Sequence, residues 1–190
     1  MKKLKIFAAL LSISVCLASC NAPAQEKVIH HSSATFPQMT IETITAQSKH
    51  IVHGIVTQKK DAVVFEYETA AGTKQQVYTP YEIQITDTLK GDVEGDTIDF
   101  LAYGGETDTD IYIFEGDADV NVGDEVLAFL DAHGISWGAQ GVYVVEDGSI
   151  SMYTHMLPTD TLNDDEENQS TFTQISLDDY MQLISEYVNE

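Results

Sequence analysis

Between residues 51 and 153 the chain repeats one pattern: a short run alternating apolar and polar residues, then a cluster containing glycine. Val63, Phe65 and Tyr67 alternate with Val64, Glu66 and Glu68. Tyr81, Ile83 and Ile85 alternate with Glu82, Gln84 and Thr86, and Ile98, Phe100 and Ala102 with Thr97, Asp99 and Leu101. A period of two sends successive side chains to opposite faces, so each run predicts a half-buried β-strand. Residues 51–56, 142–145 and 150–153 read as further strands, and Val126-Leu127-Ala128-Phe129-Leu130 is apolar throughout, as a central strand is. Turns are expected at Ala71-Gly72-Thr73, Lys90-Gly91-Asp92, Glu94-Gly95-Asp96 and Gly104-Gly105. Pro80 brings no N–H to a ladder, so its place should be an edge or a bulge. Many short strands, in a chain too short for two sheets plus helices, predict a mainly β fold closing into a small barrel.

Two helices flank this body. Thr40 has the character of an N-cap for a short helix reaching about Ser48. Ser176 caps a C-terminal helix, 176–190, in which Leu177, Tyr180, Met181, Ile184, Tyr187 and Val188 fall on one face. Asp178 and Asp179 sit in its first turn, where the helix dipole favours negative charge. Residues 159–175 are acidic and polar and read as a surface loop. The barrel is thus expected over 40–158, behind a tether at 20–39.

The N-terminus sets the address. Lys2, Lys3 and Lys5 lead into an apolar stretch, Ile6 to Leu17, too short to span a bilayer. Leu17-Ala18-Ser19-Cys20 follows and resembles the bacterial lipobox, which implies a signal peptide over 1–19 and a diacylglyceryl group on Cys20. The resemblance places the body on the extracytoplasmic face, held to the cell membrane or envelope by lipid. Two acyl chains suffice for stable anchoring where one does not. The tether, with Pro23 and Pro37, would reach roughly 20–25 Å as a coil.

Both cysteines, Cys16 and Cys20, lie at the front, so the body has no thiol for disulfides, thiol catalysis or cysteine-bound metal. Apolar burial and backbone pairing must hold it together. Cleavage before Cys20 leaves six lysines against 31 acidic residues, and there is no arginine anywhere. Phosphate binding rests on lysine and arginine, so nucleic acid is not an expected partner. An anionic lipid surface would repel this body, and its acidity serves solubility.

The succession HIVHGIVT, VYTPYEIQITDTLKGDVEGDTIDF, VGDEVLAFL and GAQGVYVV resembles a group of small extracytoplasmic bacterial lipoproteins and accessory domains, which implies a small OB-like Greek-key β-barrel. Residues 50–100 are also similar in pattern to the netrin-like domain of tissue inhibitors of metalloproteinases. That resemblance implies a fold rather than an activity. The inhibitors use a disulfide-held Cys-X-Cys start to reach the catalytic zinc; here a single Cys20 stands far from the body, so their inhibitory residues do not transfer.

Several constellations carry chemistry in other proteins. Gly134-Ile135-Ser136-Trp137-Gly138 matches G-x-S-x-G, with Asp131 and His133 just before it. A nucleophile elbow requires strand, sharp turn and helix; Ala139-Gln140-Gly141 and another strand follow here, so a glycine-rich loop is expected. Asp117, Asp119 and Asn121 are weak calcium candidates, with Asp108 and Asp110 nearby. The EF-hand places for glycine and glutamate hold Val122 and Ala128 instead, and a solvated turn is expected. Among His30, His31, His50, His53, His133 and His155, no pair has the spacing of a helical zinc motif. Asn168-Gln169-Ser170 fits a glycosylation sequon by chance. Trp137, in its glycine-rich loop, is either a ligand-contacting ring or a plug over the barrel end.

The sequence therefore points to a membrane-anchored, non-catalytic binding or accessory module without cofactor, facing an envelope or secreted protein. The alternatives are an inhibitor of a secreted protease and a weak hydrolase built on the barrel loops.

Overall fold

The computed structural model describes residues 26–33, 36–70, 72–158 and 172–189. In chain order they form β1 (Val28–Ser33), α1 (Ile41–Gln47), β2 (His50–Lys59), β3 (Val63–Thr69), β4 (Gly72–Lys90) and β5 (Thr97–Tyr103). Then come β6 (Gly105–Glu106), β7 (Asp110–Glu115), β8 (Glu125–Leu130), β9 (Val142–Glu146), β10 (Ser149–Tyr153), β11 (Phe172–Ser176) and α2 (Leu177–Val188). The fold is mainly β with one short N-terminal and one C-terminal helix. The large sheet runs β11-β10-β9-β8-β2-β4-β3, with β5 on β4, and a small sheet runs β1-β7-β6. These ladders are open. Among the described residues no helix is long and apolar enough to cross a membrane.

The sheet is buried on both sides at its centre, which explains the unbroken apolar run of β8. Leu127 and Phe129 join Ile51, Ile150, Met152 and the helix residues Ile41, Ile44, Tyr180 and Ile184 in one core. Val126, Ala128 and Leu130 point the other way, into a second core with Val52, Val56, Ile83 and Phe100. Both helices start at the expected caps: Thr40 Oγ1 accepts from the Thr43 N–H at 3.2 Å, and Ser176 Oγ from the Asp179 N–H at 3.2 Å.

The strand β4 spans 19 residues and changes partner along its length. Its second half pairs with β2, its first half with β3, and residues 78–84 pair with β5 on the opposite edge. Pro80 sits between the β2 and β3 ladders, opposite the 60–62 connection, where a missing N–H costs the sheet least. At the far end Lys90 Nζ donates to the Thr45 and Ala46 carbonyls (2.6 and 3.2 Å), a cation placed where a helix C-terminus favours one.

Four strands depart from the sequence reading, among them β6, which begins inside the expected Gly104-Gly105 turn. Residues 28–33, expected within the tether, pair in parallel with β7, itself unforeseen. Every residue of β1 is exposed, so no apolar alternation announced it; His30 stacks on Tyr112 at 4.6 Å and meets Asp110 at 2.6 Å. Residues 172–176, expected in the acidic loop, pair with β10 as β11. The rest of that loop, 159–171, lies outside the described residues.

Candidate functional site

The β3–β4 hairpin exposes apolar residues along the edge of the large sheet. Among the described residues β3 has β4 as its one neighbouring strand, and its other edge from Val63 to Glu68 faces no strand. Its apolar side chains are half in solvent: Val64 47 %, Phe65 49 % and Tyr67 47 % exposed. Alternation puts Val63, Phe65 and Tyr67 on one face and Val64, Glu66 and Glu68 on the other. On the second face Glu66 accepts from Gln75 and Glu68 from Thr73, each at 2.8 Å.

An aromatic row supports the first face. Phe65 meets Tyr78 edge-on at 5.5 Å, Tyr78 meets Tyr103 at 5.1 Å, and Tyr103 stacks on Phe114 at 4.7 Å. Phe36 closes the row against Tyr103 and Phe114 at 5.7 and 6.2 Å. Edge-on and offset rings of this kind stabilise beyond simple area burial. Burial pushes the Tyr103 phenol up to about 12, with Tyr78 and Asp117 adding to the effect. Phe65 is therefore the exposed end of a packed row.

At the foot of the hairpin a cavity of ≈ 680 Å³ collects Lys27, Lys59 and Lys60 beside Asp61, Glu106 and Asp108. Most of this charge is matched internally. Lys27 bonds Glu106 at 2.9 Å and the Thr107 carbonyl, while Lys60 bonds Asp99 at 2.7 Å and Glu82 at 3.0 Å. Lys59 lies 5.6 Å from the Tyr81 ring centre.

The residues singled out from the sequence fall into place as follows. Trp137 is half-buried; its indole N–H donates to Ser48 Oγ at 3.3 Å and its ring packs on the helix-side core. Asp117 accepts from the backbone N–H groups of Tyr103 and Ala118, and burial raises its carboxyl above the ordinary range. Asp117 and Asp119 line a groove of ≈ 370 Å³ with Glu146, Tyr153 and Phe172. The Asn121 N–H donates to Asp124, shaping the turn before β8. Among the described residues no group of three or more His, Cys, Asp and Glu is arranged to hold a metal ion. Cys20 lies outside the described residues.

The G-x-S-x-G segment does not make an elbow. Ser136 is 2 % exposed and bridges Leu130 of β8, and the chain continues through a single tight turn into β9. Asp131 accepts from the N–H groups of His133 and Ile135, building the turn, and the His133 ring is exposed. Asp131 is thus committed to the turn, while the Ser136 hydroxyl is buried and the His133 ring faces solvent.

One constellation escaped the sequence. His53 is buried on β2 between Asp87 of β4, 3.1 Å from Nδ1, and Glu125 of β8, 2.8 Å from Nε2. Its carboxylates come from 34 and 72 residues away, so only strand register reveals them. The carboxylates flank the ring from opposite sides and make a hydrogen-bonded clasp across three strands. No family model, no curated protein and no solved structure matches this chain.

Proposed function

We propose that this chain is a lipid-anchored, extracytoplasmic, non-catalytic binding module whose working surface is the β3–β4 hairpin. The observation that carries the reading is the β3 edge from Val63 to Glu68, which faces no strand among the described residues, with its exposed Val64, Phe65 and Tyr67. Water-exposed apolar side chains beside unpaired backbone groups are what strand addition by another chain uses. The Ser136 hydroxyl is buried and Asp131 is spent on the turn, which favours binding over hydrolysis there. The anchor rests on the Leu17-Ala18-Ser19-Cys20 motif.

The body is further proposed to be an OB-like barrel. Two single bridges support this: Leu101 of β5 pairs in parallel with Ile135, and Leu130 of β8 pairs with Ser136. They extend the order β8-β2-β4-β5 through residues 135–136 back towards β8, as a partly open five-membered barrel would.

The test is an intact mass of the membrane-extracted protein beside its Cys20→Ala variant. Residues 20–190 carrying a diacylglyceryl group, with release of Cys20→Ala from the membrane fraction, are expected. An unlipidated, soluble wild-type species would refute the anchor.

A further inference from the structure

We infer that β3 is a self-recognition strand: it pairs antiparallel with β3 of a second copy of this chain, about a two-fold axis at Phe65. The inference deepens the binding-module reading by naming its partner.

The residues of β3 are close to palindromic in chemistry about Phe65. With Phe65 opposite Phe65, Val63 lies across from Tyr67 twice, giving three apolar cross-strand pairs on one face. On the other face Val64 lies across from Glu66, and Ala62 from Glu68, so no carboxylate opposes another. Moving the axis one residue, to Glu66, sets Glu66 against Glu66 and Val64 against Glu68. Aromatic and β-branched pairs stabilise a ladder, and like charges directly opposed destabilise it. Charge and apolar pairing therefore select one register. The long-range field opposes it, because the chain carries a net charge of −22.

Area sets the strength. Phe65 and Tyr67 are each about half exposed, and aromatic side chains bury roughly 150–250 Å² when covered. With Val63 and Val64 added, two copies cover well under the roughly 1,200 Å² of a standard stable interface. The pair is weak in dilute solution, and an anchor confining both copies to one surface supplies the concentration it needs.

The experiment uses the full chain in its own membranes. Phe65→Cys and Glu66→Cys are exposed to a mild oxidant, with the parent as control for Cys20. In the inferred register two 65 positions face each other within disulfide reach, whereas two 66 positions are diagonal, about 7–8 Å apart and on the other face. A dimer from Phe65→Cys at least fivefold above both the parent and Glu66→Cys is expected. Equal yields at 65 and 66, or no dimer from folded Phe65→Cys, overturn the register.

Sedimentation of detergent-solubilised wild type supplies a second readout. Self-association must tighten between 0.1 M and 1 M salt, as the screening length falls from about 10 Å to 3 Å. Phe65→Lys must abolish it. Association that weakens with salt would mean that opposite charges hold the copies together and would overturn this apolar pairing. A soluble, unlipidated protein that still crosslinks through residue 65 would refute the anchor and leave this inference standing.

Discussion

Replacing Ile184 by alanine tests whether the C-terminal helix is part of the fold. Ile184 lies on α2, is fully buried, and packs in the helix-side core with Ile41, Ile44, Phe129 and Tyr180. The substitution removes three carbons, worth about 2.4 kcal/mol at about 0.8 kcal/mol each. The space left among well-packed neighbours adds to this and brings the cost within about 2–5 kcal/mol. With a urea slope of about 2 kcal/mol/M, a loss of about 3 kcal/mol lowers the unfolding midpoint by about 1.5 M. Gln182, exposed on the same helix, supplies the control, since exposed substitutions stay within about 0.5 kcal/mol. The assay is urea unfolding followed by far-ultraviolet circular dichroism and by Trp137 fluorescence, because Trp137 packs on the same core. Both probes should shift together. If Ile184→Ala and Gln182→Ala shift equally little, α2 is not docked on the sheet and the two-core description fails.

Gly54→Ala should destabilise severely, because a Cβ there would stand 2.2 Å from the Gln84 carbonyl oxygen of the neighbouring strand; a variant melting within a degree of wild type would show that β2 and β4 are not so closely apposed. Asp117 has its carboxyl raised by burial, so the folded chain holds the proton more tightly than the unfolded one. Its contribution is present below the ordinary value of 3.8 and is lost as pH rises through the raised one. Asp117→Asn keeps an acceptor without ionising, so its stability relative to wild type should improve upward from pH 3.8; a pH-independent difference would remove the argument. For the His53 clasp, a His53→Gln and Glu125→Gln double-mutant cycle should give a coupling of about 1 kcal/mol, modest because Glu125 is part-exposed; zero coupling would mean that the contact does not persist in solution.

What could be read from the residues follows from burial. Strands with one dry face, such as Tyr81-Ile83 in β4 and Ile98-Phe100 in β5, announced themselves by alternation, and the helix caps by Thr40 and Ser176. The strands β1 and β11 did not, because every residue of β1 is exposed and β11 is only partly covered. Their pairing is written in the edges offered by β7 and β10, not in their own side chains. The hairpin was legible as alternation, but its lack of a covering layer was not: Phe65 reads the same whether its face is wet or dry. The clasp at His53 was illegible for another reason, since both carboxylates arrive through sheet register.

The 19-residue strand β4 also has a mechanical meaning. At about 3.3 Å per residue its contour measures roughly 60 Å, with Thr86 and Leu89 left as register breaks against β2. One end turns the hairpin that carries Phe65; the other, through Lys90, grips the last carbonyls of α1. The β2 ladder clamps the half nearest Lys90, and Pro80 marks where that clamp ends. β5 braces residues 78–84 across Pro80 from the opposite edge, so the overhang is the stretch from Gly72 to Val77, held by β3 alone, and a load on the hairpin tip falls there first.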